Sequence, residues 1–114
     1  MDHFYTSDPK MKNSPLSKRL KEARLAAGLS QKALGIAAGI DEFSASARIN
    51  HYEKERHLPD YYTLERIASV LKVPVAYFYA ESDELAKWIQ LFMQAKKGLR
   101  TIILKELENS LSRY

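Results

Sequence analysis

Apolar residues fall on helical spacings soon after the chain begins. Leu16, Leu20, Ala23 and Ala27 recur at four, three and four residues, which marks one apolar stripe. Ser14 can accept from the free amides of a new helix, Pro15 suits its first position, and Gly28 offers a left-handed stop, so a first helix is predicted over Pro15–Ala27. Ser30 caps a second that Gly39 closes, with Leu29 and Leu34 at the spacing of a hydrophobic staple. Ala33, Gly35, Ala37 and Ala38 make that helix small-sided, so another helix can approach its backbone closely. After Ile40–Phe43, the positions Ala45, Ile49 and Tyr52 predict a third helix over Ser44–Lys54 with a polar outer face.

Pro59 interrupts the pattern. Asp60 can cap a fourth helix bearing Leu64, Ile67, Ala68 and Leu71, and Pro74 starts a short fifth one with Val75, Tyr77, Phe78 and Tyr79. Ser82 or Asp83 caps a sixth, with Leu85, Trp88, Ile89, Phe92 and Met93, expected to run to Lys97 before Gly98 breaks it. A seventh, to Leu111, carries Leu99, Ile102, Ile103, Leu104 and Leu107 over more than one stripe, as for a helix touching two apolar partners. No strand pattern, internal repeat or low-complexity tract occurs, and Met1–Asn13, with Pro9 and no period, reads as a flexible arm. The expected organisation is all-α: an arm over 1–13, a five-helix unit over 14–80, and a C-terminal helical hairpin over 81–114.

Composition narrows the function classes. At 114 residues, 46% hydrophobic and 28% charged, the chain suits one soluble domain and has no room for a large multi-substrate enzyme. The absence of cysteine removes disulfides, thiolate metal sites and cysteine nucleophiles, and fits a cytoplasmic location. No apolar run is long enough to cross a bilayer and no signal segment is expected. The net charge of +4, concentrated in residues 1–57, permits a nucleic-acid partner without requiring one. His51 and His57, six apart, do not share a helix face as metal ligands would, and no phosphate loop or nucleophile elbow occurs; neither an enzymatic role nor a cofactor or metal is expected.

Two short helices in sequence, the first small-sided and the second polar outward, are the pattern of a helix-turn-helix unit. The residues that carry more are Gly28-Leu29-Ser30-Gln31-Lys32-Ala33-Leu34, Gly39-Ile40, Ile49-Asn50-His51-Tyr52-Glu53, Pro59, Leu64, Ile67-Ala68, Leu71 and Val73. Jointly, over about Leu16–Phe78, they resemble the Cro-type phage-repressor family of helix-turn-helix transcriptional regulators. That resemblance implies a five-helix lambda-repressor-like bundle, with the third helix as the recognition helix, Gln31 at a position that commonly touches the sugar-phosphate backbone, and a homodimer on an inverted-repeat operator. The chain departs from the pattern in three places: Asp41-Glu42-Phe43-Ser44 lengthens the turn before the recognition helix, Gly35 stands where the family usually has alanine, and Glu55 where a glycine commonly ends the recognition helix.

At about 100° per residue, Ala47, Asn50, His51 and Lys54 oppose the apolar side of the third helix, with Ser46 and Arg48 on the flanks and Ser44 at the tip. This set suits a DNA groove: Asn pairs with adenine, Arg with guanine, Ser with several bases, and Ala with a thymine methyl. A solvated surface would look the same without the flanking motifs. Gln31 and Lys32, at the start of the second helix, and Lys54 and Arg56 on the other edge are the expected phosphate contacts. Arg48 can reach a base, a phosphate or Glu42, and Glu53 reads as a structural ion-pair partner. The last two helices either pad the bundle or associate copies of the chain, with Trp88, Phe92, Ile103 and Leu107 as dimerisation residues. The expected function is a repressor that binds double-stranded operator DNA as a homodimer. The alternative is an antitoxin whose C-terminal helices hold a heterologous protein while the same module represses its own promoter.

Overall fold

In a computed structural model, residues 14–113 are described, and among them every regular element is helical. The expected arm, residues 1–13, lies outside the described residues. Helix α1 (Leu16–Ala26) begins where the Ser14 hydroxyl accepts from the Leu16 amide and Pro15 already holds helical angles. It ends at Gly28, φ 72°, with the Leu29 amide donating to the Arg24 carbonyl and the Gly28 amide to that of Leu25. This paired closure needs a left-handed residue, which glycine supplies without a side-chain clash. Helix α2 (Gln31–Ala37) is capped by Ser30 on the Ala33 amide and closes the same way at Gly39, φ 88°.

Helix α3 (Ala45–Glu53) lies against α2, and the contact is closest at Gly35. A methyl group there would sit 2.7 Å from Ala45 Cβ and 2.9 Å from the Ala45 carbonyl oxygen, so any side chain would drive the two helices apart. Helix α4 (Tyr61–Leu71) starts on the Asp60 carboxylate, which accepts from the Thr63 amide at 2.7 Å. Leu16 and Leu20 of α1, Leu34 of α2, Ile49 of α3, and Leu64 and Ile67 of α4 meet Phe78 in one fully buried core. The Ser17 hydroxyl donates to the Tyr52 carbonyl at 2.6 Å, a buried bond that ties α1 to the end of α3.

Two expectations are corrected here. The fifth element is a single 3-10 turn, Val75–Tyr79, which drives Tyr77 and Phe78 into the core. The break between the last two helices falls before Gly98: α5 spans Asp83–Gln94, Ala95 and Lys96 are extended, and Gly98 lies in the first turn of α6 (Lys97–Leu111). The stop is made by Arg100, whose guanidinium reaches back to the Phe92 carbonyl (2.7 Å) and the Met93 carbonyl (2.9 Å) and covers the Phe92 ring at 4.8 Å. It satisfies the last carbonyls of α5, which need a partner wherever a helix stops.

The C-terminal pair does not complete the core. Only Ala86 of α5 is buried, Ile89 packs partly, and α6 buries nothing. Trp88 and Phe92 stay about half exposed, which removes core burial as their role within one chain. The pair is anchored through Arg19, whose guanidinium, with a side chain 4% exposed, donates to the Ala80 carbonyl (3.0 Å), Asp83 (2.8 Å) and Glu22 (3.2 Å). Residues 14–113 measure 53 × 35 × 21 Å with a radius of gyration of 16.8 Å, against about 13 Å for a compact domain of similar length. No helix among the described residues is long and apolar enough to cross a membrane.

Candidate nucleic-acid interface

The inner side of α3, at Ala45, Ile49 and Tyr52, is buried, so its outer side is fixed by the core. Ser46, Ala47, Arg48 and Lys54 are exposed, and Asn50 and His51 half-exposed, as the helical angles predict. Ser44 is half-buried and makes no capping bond, leaving it at the rim of this face. Lys32 and Arg56 are both exposed, Lys32 on the first turn of α2 and Arg56 just past α3.

One edge of α3 is held by a network that crosses three helices. Arg24 of α1 pairs with Glu53 through two bonds, Nε to Oε2 at 2.6 Å and Nη2 to Oε1 at 3.1 Å, with side chains only 9% and 3% exposed. Arg24 also donates to the Leu29 carbonyl at 2.8 Å, locking the turn before α2. Glu53 is the structural ion-pair partner the sequence suggests. Gln31 Nε2 donates to Glu53 Oε1 and to Asn50 Oδ1, both at 3.1 Å. The carboxylate only accepts, so it fixes which end of the Gln31 amide faces inward. The Gln31 carbonyl oxygen is left over, and an acceptor cannot bond a phosphate oxygen. To touch a phosphate through its side chain, Gln31 would have to surrender one of these bonds, whereas its main-chain amide, at the first position of α2, needs to surrender none.

Arg48 and two histidines occupy the opposite edge. Arg48 Nη2 donates to the Tyr52 hydroxyl at 2.7 Å, a partner absent from the three the sequence offered, and the ion pair with Glu42 is not formed. The chain turns back past α3 at Glu55, φ 61°, with the Arg56 amide on the His51 carbonyl at 2.9 Å and the Glu55 amide on that of Tyr52 at 3.3 Å. That turn brings the His57 ring to 5.0 Å from His51, a neighbour the six-residue spacing did not suggest. Arg48, His51, Tyr52, His57 and Leu58 line a shallow open hollow of about 320 Å³. No group of three metal-ligating side chains forms among the described residues.

The lengthened turn closes on Asp41, whose carboxylate accepts from the Phe43 amide and whose carbonyl accepts from the Ser44 amide, each at 3.0 Å. Phe43, 93% exposed, stands at its tip beside the N-terminus of α3. On spacing alone Phe43 belongs to the stretch before the third helix and has no role of its own. Its signal was an aromatic residue inside an insertion with no apolar partner at helical spacing.

Residues 20–78 of the chain match the helix-turn-helix family. A solved crystal structure of the transcriptional regulator BswR superposes with a TM-score of 0.80 at 47% identity, covering 86% of this chain and 97% of that one. The likeness therefore extends beyond the helix-turn-helix segment. No curated protein matches the chain.

Proposed function

The chain belongs to the Cro/C1-type helix-turn-helix family, with a lambda-repressor-like fold, and on that premise we propose that it is a repressor that binds an inverted-repeat operator as a homodimer. DNA-binding transcriptional regulation is the function of the module. The repressor role, the paired half-sites and the individual base and phosphate partners are the proposed part. The observation that carries it is the outer face of α3, polar and exposed between two hydrogen-bonded edges, one fixed by Arg24, Glu53 and Gln31 and the other by Tyr52. Such a face enters a major groove without paying to become ordered.

Within that reading, Asn50 and His51 meet base edges, Ser46 and Ala47 lie against the groove floor, and Lys32, Lys54 and Arg56 reach phosphates. Gln31 acts through Asn50, whose orientation it sets. Ser44 and Phe43 lead the helix into the groove, where the Phe43 ring offers an apolar surface to a thymine methyl. Arg48, with Nη2 held on Tyr52, turns its remaining N–H groups to the backbone. Trp88, Phe92, Ile103 and Leu107 serve association.

Selection of bound sites from random duplex DNA tests the reading, and an enriched palindrome is expected. Asn50→Ala and His51→Ala should each cost about 1–3 kcal/mol on the selected site and little on random DNA. Lys32→Ala and Lys54→Ala should weaken both alike and make the salt dependence shallower, by about 0.9 log units per log unit of salt for each phosphate that is no longer neutralised. Binding without sequence preference or salt dependence would overturn the reading.

A further inference from the structure

Helix α6 is 15 residues long and buries none of them. A lone helix of about that length is marginal in water, so this one needs a surface to lie on. The described residues of its own chain do not provide one: α6 does not pack along α5, and Arg100 holds the turn at Ala95–Lys96 that sends it away. Leu99, Ile103, Leu104, Leu107 and Leu111 fall within an arc of about 140° on α6 that also holds Ser110 and Arg100, whose guanidinium is turned back onto the end of α5. A groove lined only by Pro74, Ala76, Trp88, Ile89, Phe92 and Met93, of about 400 Å³, is open on α5 and the 3-10 turn.

We propose that α6 pairs antiparallel with α6 of a second copy about a two-fold axis at Ile103, so that the C-terminal end of each α6 meets the Phe92–Met93 end of the other's α5 groove. It rests on the dimer reading above and supplies its geometry. Charge selects the orientation. Lys97 and Glu108 lie on the same flank of α6, within about 20° of each other, at opposite ends of the helix. In the antiparallel pair the same flank of both helices lies on one side of the seam and Lys97 comes within one residue of Glu108 of the partner subunit, whereas in a parallel pair the two copies of this flank lie on opposite sides of the seam and the attraction is not made. The two helix dipoles also oppose favourably. With Ile103 on the axis, Leu99 meets Leu107 of the partner subunit. Leu111 then arrives at the partner's Ala95, where the groove ends at Phe92 and Met93. One register therefore satisfies the apolar arc, the flanking charges and the groove together.

The chain contains no cysteine, so introduced thiols report the geometry without background. In the full chain without DNA, Ile103→Cys should form a covalent dimer under mild oxidation, because only residues near the axis bring their own Cβ atoms within disulfide reach. Leu99→Cys and Leu107→Cys chains should each stay uncrosslinked alone and join when mixed. Lys97→Glu should raise the dimer dissociation constant about fivefold, and adding Glu108→Lys should restore it. Leu99→Cys crosslinking to itself would establish a parallel pair and overturn the proposal. A wild-type dimer that none of these thiols traps would overturn it too, while leaving the dimer reading intact. A wild-type monomer at micromolar concentration by sedimentation would remove both, with the salt-dependent DNA binding still to be judged separately.

Discussion

Glu55 holds a backbone conformation that costs an ordinary residue about 1–2 kcal/mol, at the place where α3 must stop and turn. Glu55→Gly keeps the two closing bonds and removes the clash between Cβ and the carbonyl. It should therefore stabilise the fold by about 1 kcal/mol, read as a rise in the urea midpoint with an unchanged slope. A drop in stability would mean that the Glu55 side chain makes a favourable interaction outweighing the strain. The need for a left-handed residue here was legible as a departure from the family's glycine, as were the Ser14, Ser30, Asp60 and Ser82 caps, since capping chemistry acts within three residues. The Arg24–Glu53–Gln31–Asn50 network was only half legible, because its bonds join residues 19 to 29 positions apart. Helical angles place Asn50 outward but cannot tell what holds it. Phe43 escaped for the opposite reason: no described residue covers it, and none lies at a spacing that marks a partner.

Between elements, the α2–α3 contact sets how far the recognition helix stands from its support. Gly35→Ala adds about 1 kcal/mol of helix propensity but inserts a methyl 2.9 Å from a backbone oxygen, which cannot rotate away as a flexible side chain could. The net effect should be a destabilisation of about 1–2 kcal/mol with a larger fractional drop in operator than in random-DNA binding, because base contacts depend on the exact height of α3 and phosphate contacts do not. Equal drops on both DNAs would instead indicate simple unfolding. The close approach was readable from the run of small residues in α2, whereas its cause, Ala45 at the start of α3, needed the lengthened turn to be built. Gly98 shows the converse. A glycine after an apolar stripe reads as a stop, yet here Arg100, two residues later, ends α5 from the next helix, and no local pattern announces a guanidinium that reaches backward.

Across the whole molecule, the bundle and its C-terminal extension are joined by charge as much as by packing. Bonding to Arg19, with Lys18 beside it, holds the Asp83 carboxyl below its ordinary value, and the Thr63 amide and hydroxyl, aided by Arg66 and Arg48, do the same for Asp60. Groups depressed on folding stabilise above their unfolded value, near pH 4, and cease to do so as pH falls through the folded one. The melting temperature should thus be insensitive to these groups near neutrality and drop below about pH 4, and the drop should be shallower in Asp60→Asn, which keeps the cap without the charge. An identical acid limb in that variant would assign the transition to other carboxylates. Helix α6 poses the larger question, because it adds length and exposed apolar surface while contributing no buried residue to its own chain. A chain ending at Gln94 keeps Asp83 on Arg19 and Ala86 in the core, so it should fold with secondary structure reduced by α6 and by the last turn of α5, which loses its Arg100 cap. Deprived of its partner surface, it should sediment as a monomer. Each half-site interface survives, but the second binding event no longer benefits from a linked neighbour, so operator affinity should fall by about 10² to 10⁴-fold while the preferred half-site sequence is unchanged. A folded dimer with full operator affinity from this shortened chain would place association elsewhere, leaving the apolar arc of α6 without the role given to it.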